Sequence, residues 1–132
     1  MRVLIMDDDA QIRALLRQVV EISGHEVLEA ENGKTGMALQ RQWRASLVIT
    51  DIIMLEQEGL ETIGVLRREF PGTKIIAVSG GGRVGPEAYL PVAQDLGADR
   101  IFTKPFKVDE ILQAIQELAA TDAPRTDLAV TG

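Results

Sequence analysis

Val3-Leu4-Ile5-Met6-Asp7-Asp8-Asp9 runs an unbroken apolar stretch directly into three adjacent carboxylates. A short apolar run without polar alternation predicts a strand buried on both faces, and such strands belong to parallel sheets covered by helices. Outward from this stretch the same strand–helix alternation repeats. From Asp9 the apolar positions Ile12, Leu15, Leu16, Val19 and Val20 recur at helical spacing, and Ser23-Gly24 ends that helix. Glu26 to Ala30 predicts a second strand, and a helix from about Thr35 to Arg44 follows. Leu47-Val48-Ile49-Thr50 predicts a third strand. Leu60, Ile63, Leu66 and Phe70 mark a helix stopped by Pro71-Gly72, with Gly64 weakening its interior. Lys74-Ile75-Ile76-Ala77-Val78 predicts a fourth strand, and after Gly80-Gly81-Gly82 a helical region ends at Leu96-Gly97. Arg100-Ile101-Phe102 predicts a fifth strand, and Val108, Ile111, Leu112, Ile115 and Leu118 share one face of a last helix. From Thr121 the periodicity fades, so residues 1–120 are expected to form one domain and 121–132 a flexible tail.

Bulk composition narrows the function classes. A chain of 132 residues that is 45% hydrophobic is long and apolar enough for one domain with a real core. A net charge of −6 argues against direct nucleic-acid binding, which needs a basic footprint. The absence of cysteine excludes disulfides and thiolate metal sites, in keeping with a reducing cytoplasm. No apolar run approaches the roughly 20 residues that span a bilayer, and residues 1–6 lack the pattern of a signal peptide. The expectation is a cytoplasmic domain without membrane insertion.

Ligands of open parallel sheets bind outside the carboxyl ends of the strands. There the first strand runs into Asp7, Asp8 and Asp9, the third into Asp51, the fourth into Ser79 and the fifth into Lys104-Pro105. Carboxylates gathered at one edge repel one another unless a positive group sits among them. A lysine and a hard divalent cation are the two candidates. Mg²⁺ takes oxygen ligands, typically one or two carboxylates with waters and phosphate oxygens. Asp8 and Asp51 suit that role, with Asp7 binding directly or through water. A carboxylate can also attack phosphorus to form an aspartyl phosphate. A cation, Lys104 and the Ser79 hydroxyl would then neutralise the charge that builds on the phosphoryl oxygens.

Four segments in register, Ile5-Met6-Asp7-Asp8-Asp9, Ile49-Thr50-Asp51-Ile52-Ile53-Met54, Ala77-Val78-Ser79-Gly80 and Phe102-Thr103-Lys104-Pro105-Phe106, resemble the receiver domains of two-component response regulators. No single segment would suffice; their order and spacing over residues 1–120 make the signal specific. The resemblance implies a flavodoxin-like α/β fold, a five-stranded parallel sheet of order 2-1-3-4-5 with five helices on both faces. It implies that Asp51 is the phosphoacceptor, that Asp7, Asp8, Asp51 and the Ile53 carbonyl hold Mg²⁺, and that Ser79 and Lys104 contact the phosphoryl group. It also implies a cis Lys104–Pro105 peptide, against a general expectation of about 5% for X–Pro bonds. The partners it implies are a sensor histidine kinase or histidine phosphotransfer protein upstream and a protein target downstream. Such a module acts as a switch rather than an enzyme, beyond gaining and losing its own phosphoryl group.

Three positions depart from the family pattern. Leu55 stands where the family usually has proline. Ile101 stands three residues before Lys104, where the family often has Tyr or Phe, and the adjacent Phe102 should face the other side of the strand. Pro91 falls where the helix before Leu96 should be continuous, which predicts a short or kinked element.

Other readings are weaker. Gly33-Lys34-Thr35 lacks the earlier glycine of a phosphate-binding loop, since that position is Leu28. Asp9 is better explained as a helix cap than as a metal ligand. Trp43 reads as cover for the core edge, and Arg67-Arg68 as a solvated helix face. Asp7-x-Asp9 resembles the nucleophile motif of haloacid-dehalogenase phosphatases, but Gln11 stands where that family carries Thr or Val. A Mg²⁺-dependent phosphohydrolase and a degenerate, unphosphorylated interaction module are the two alternatives to the switch.

Overall fold

The structure is a computed structural model that describes residues 1–52, 58–79 and 97–131, with only the backbone course for 58–60 and 121–131. Its strands are β1 (Arg2–Met6), β2 (Glu26–Ala30), β3 (Leu47–Asp51), β4 (Lys74–Ser79) and β5 (Arg100–Thr103). They pair in parallel in the order β2-β1-β3-β4-β5, as expected. Helices α1 (Ala10–Ile22), α2 (Gly33–Trp43) and α3 (Glu58–Glu69) and a C-terminal helix (Val108–Thr131) connect or follow them. The helical region expected after Gly82, with Pro91, lies outside the described residues, as does Leu55.

Strand alternation sorts the core into two layers. Val3, Ile5, Leu47, Ile49, Ile76 and Val78 meet Leu16, Val19 and Val20 of α1 and Ile111, Ile115 and Leu118 of the C-terminal helix. Leu4, Met6, Val48, Ile75 and Ala77 meet Met37 of α2 and Ile63 and Leu66 of α3. Every second residue of β1, β3 and β4 therefore serves the opposite layer, which is why these strands read as continuous apolar runs. Phe102 packs with the first layer and Ile101 with the second, so the two do point to opposite sides of β5.

Side chains fix where the helices begin. Asp9 caps α1, its Oδ1 accepting from the Gln11 and Ile12 amides at 2.9 and 3.4 Å. Asn32 caps α2 by accepting from the Thr35 amide at 2.8 Å. Trp43 lies partly buried at the core edge, beneath the Arg2 guanidinium at 5.5 Å from the ring centroid.

One expectation is corrected. Arg67 does not belong to a solvated face: its guanidinium donates to the carbonyls of Pro71, Thr73 and Gly97 at 2.9, 3.0 and 2.6 Å. It also reaches Asp99 at 3.2 Å, whose same oxygen accepts from the Ile75 amide at 2.8 Å. Gly97, at φ +116°, has no Cβ to collide with Arg67, which lets the chain pass close over the guanidinium. Arg68 is exposed as expected. The C-terminal helix runs from Val108 to Thr131. Among the described residues, the last one buried in the core is Leu118.

Gly64 sits inside α3, and an added Cβ would meet nothing within 4 Å. Gly64→Ala should therefore stabilise the protein by about 0.5–1 kcal/mol, through the lower entropy of the unfolded chain. Urea unfolding should show a higher midpoint at unchanged slope; an unchanged or lower midpoint would show that the glycine serves a contact.

Candidate functional site

The register of the sheet brings the candidate residues to one edge. Met6 lies opposite Thr50, which places Asp7 beside Asp51 at the ends of β1 and β3. Asp51 lies opposite Val78 and Ser79 opposite Thr103, so Ser79 and Lys104 follow one step further along the same edge. The Ile52 amide donates to the Val78 carbonyl at 3.0 Å and the Lys104 amide to the Ser79 carbonyl at 2.7 Å. These bonds extend the ladder just past the strand ends and fix the backbone that carries the side chains. The Lys104–Pro105 peptide is cis, as the resemblance implies.

Carboxylate oxygens of Asp7, Asp8 and Asp51 lie within 4.8 Å of one another. Asp7 and Asp51 are buried, while Asp8 is exposed and opens the cluster to solvent. The Lys104 ammonium donates to Asp7 Oδ2 at 3.0 Å and to Asp51 Oδ2 at 3.2 Å. Burial disfavours the ammonium, but the attraction of Asp51 and Asp7 outweighs it and holds Lys104 above its ordinary pKa. Asp7 is raised for a different reason. Burial pushes its carboxyl above the usual range, and the charge of Asp8 adds to the rise. The Asp9 amide and Lys104 oppose that rise without cancelling it. One ammonium does not balance three clustered carboxylates.

The donor set is all oxygen, convergent and open on one side, which suits a hard divalent cation such as Mg²⁺. Ile53, whose carbonyl is expected to complete a metal site, lies outside the described residues. Ser79 Oγ is fully buried and has no hydrogen-bond partner among the described residues. An unsatisfied buried hydroxyl costs about 1–3 kcal/mol and usually marks a place where a ligand or water binds. Asp9 is engaged in capping α1, so it does not join the cluster as a second acid of the phosphatase type. Arg13, which the sequence pattern does not single out, donates to the Asp7 carbonyl at 2.7 Å. Its position one turn into α1, just past the acidic run, is the only sequence signal of that role.

A doubly wound parallel sheet with clustered acids and one lysine at its carboxyl edge defines a flavodoxin-like α/β domain with a charged centre. The family model of the response regulator receiver domain matches residues 3–116, and the chain belongs to that family. It is 31% identical over 119 residues to the chemotaxis protein CheY of Thermotoga maritima, covering 89% of this chain and 97% of the relative. It is 31% identical over 124 residues to the transcriptional regulatory protein GlrR of Escherichia coli, of which it covers only 27%. A CheY-like receiver domain structure from Methanospirillum hungatei superposes with a TM-score of 0.82 at 29% identity, over 93% of this chain and 97% of that one. The family therefore occurs both as a small protein and as a module of longer regulators. It is a signalling module of two-component systems. No helix among the described residues is long and apolar enough to cross a membrane.

Asp7 makes folding depend on pH with a definite sign. Its native pKa lies above the ordinary 3.8, so the native state holds this proton more tightly than the unfolded chain. Stability from this group therefore falls as pH rises from 3.8 through the native value, and levels off above it. Lys104 stays charged throughout that range and contributes a constant offset. In metal-free buffer, the unfolding free energy of wild type relative to Asp7→Asn should decline across that window. A flat difference in denaturant titrations at several pH values would contradict the assignment.

Proposed function

We propose that this receiver domain is phosphorylated on Asp51 with Mg²⁺ bound at Asp7, Asp8 and Asp51, and that the modification switches its protein contacts. The observation that carries the reading is the convergence of three carboxylates within 4.8 Å with Lys104 bridging two of them. A histidine kinase or histidine phosphotransfer protein would present a phosphohistidine. An Asp51 carboxylate oxygen would form the new bond to phosphorus as the phosphorus–nitrogen bond breaks, and the departing imidazole would take up a proton. Mg²⁺ would neutralise charge on the phosphoryl oxygens during transfer.

The chain's own side chains divide the remaining work. Lys104, held protonated by its neighbours, would supply a second positive charge to the phosphoryl oxygens and so loosen its hold on the carboxylates. The Ser79 hydroxyl, unpartnered among the described residues, would gain an acceptor in the phosphorylated state. Asp7 and Asp8 would hold the cation, with the Ile53 carbonyl as a further ligand. The downstream partner is a protein, because the excess of acid residues disfavours nucleic acid, and the setting is the cytoplasm, where histidine kinases present their phosphoryl groups.

Incubation with Mg²⁺ and acetyl phosphate, read by intact mass, tests the reading. A single base-labile phosphoryl adduct is expected, absent with a chelator and absent in Asp51→Asn. Turnover of the donor that depends on Asp7 and leaves no adduct would favour a phosphohydrolase. Failure to form an adduct with either acetyl phosphate or a phosphorylated histidine phosphotransfer protein, and no Mg²⁺ binding, would identify a degenerate interaction module.

A further inference from the structure

Each polar group of Asp7 has its own partner. Its amide donates to the Ala30 carbonyl at 3.1 Å, at the end of β2. Its Oδ1 accepts from the Asp9 amide at 2.9 Å and its Oδ2 from Lys104 at 3.0 Å. Its carbonyl accepts from Arg13 Nη1 at 2.7 Å, a short, charge-assisted bond. That carbonyl belongs to the peptide that joins Asp7 to Asp8. The Asp8 carboxylate is exposed, and the backbone that this peptide fixes sets its direction.

Arg13 is itself held. Its Nε donates to Glu29 Oε1 at 3.2 Å, and the other oxygen of Glu29 accepts from Arg17 Nη1 at 2.7 Å. Glu29 lies on β2 opposite Ile5 of β1, so a strand next to the site anchors the guanidinium. Arg13 and Glu29 are only 18% and 27% exposed at their side chains, which limits screening and conformational freedom. We propose that Arg13 is a positioning residue: seated on Glu29, its guanidinium pins the Asp7–Asp8 peptide so that both carboxylates converge with Asp51. The proposal rests on the reading of this cluster as a Mg²⁺ centre.

The bland alternative is an ordinary ion pair that ties α1 to β2. The two differ in the sign of one effect. If Arg13 acted on the site only through its charge, removing it would tighten Mg²⁺ binding, because a nearby positive charge repels the cation. If Arg13 positions the carboxylates, removing it weakens binding, on the order of 10-fold as for other residues that orient metal ligands.

Calorimetric titration of Mg²⁺ into the full chain distinguishes them. Arg13→Met, checked for cooperative unfolding, should bind Mg²⁺ on the order of 10-fold more weakly than wild type. Arg13→Lys keeps the charge but cannot hold Glu29 and the Asp7 carbonyl together as the guanidinium fork does, so it should fall between the two. In an Asp8→Asn background the Arg13→Met change should weaken binding less than it does in wild type, because one of the two carboxylates it positions is gone. Equal or tighter binding by Arg13→Met overturns the proposal; if that variant does not fold, wild-type affinity in Arg13→Lys overturns it instead. Absence of Mg²⁺ binding by wild type would remove the metal reading itself, and this proposal with it.

Discussion

Two buried carboxylates, Asp7 and Asp51, stand side by side because one ammonium lies between them. Unit charges about 4 Å apart interact by about 4 kcal/mol at an effective dielectric near 20, repulsive between the acids and attractive toward Lys104. Burial adds a desolvation penalty for each ion, so removing the lysine would leave the acids uncompensated. The arrangement constrains the sheet. Asp51 ends β3, Asp7 and Lys104 directly follow β1 and β5, and β4 intervenes between β3 and β5. Adjacent strands lie about 4.8 Å apart, so the positive group must reach across the end of β4, a span that suits a long flexible side chain. β4 ends in Ser79, a small residue. Strand order, strand length and the identities of these end residues are thus parts of one electrostatic solution.

Much of this was legible in the sequence because it depends on local pattern. Apolar runs of strand length, turns at Ser23-Gly24 and Pro71-Gly72, and helical spacing from Ile12 to Val20 report burial directly. Chemistry at the strand ends follows once the sheet is known to be parallel. What sequence spacing does not carry is the long reach of guanidinium groups. Arg67 reads like its exposed neighbour Arg68, yet it bonds to Gly97 and Asp99 across the base of the sheet. Arg13 reads as a polar position of α1, yet it meets the Asp7 carbonyl and Glu29. Both contacts arise from tertiary placement, and an arginine's role there depends on which carbonyls and carboxylates happen to lie within its span.

The two ends of the sheet differ in how their charges are matched. At the amino ends of β4 and β5, one guanidinium meets one carboxylate, and Arg67, Asp99 and the Ile75 amide form a connected network around the Thr73 and Gly97 carbonyls. Only the buried Arg67 Nε is left without a partner there among the described residues. At the carboxyl ends, the carboxylates outnumber the ammonium, Asp7 is driven toward its protonated form and Ser79 Oγ has no described partner. Natural folds commonly concede stability in this way at the place where they act. The apolar layers on both faces stabilise the rest of the sheet and allow the acidic edge to remain unbalanced.

The same geometry explains how a change of charge at Asp51 would be felt elsewhere. Lys104 is tied to the acids through its side chain and to β4 through its amide, which donates to the Ser79 carbonyl. A new anion at Asp51 would compete for the ammonium with Asp7 and would offer Ser79 an acceptor. Both responses fall on the ends of β4 and β5. A lysine that only neutralised charge could come from anywhere along this edge. One that is also hydrogen-bonded to the neighbouring strand through its own backbone would couple the charge state of β3 to the position of β5.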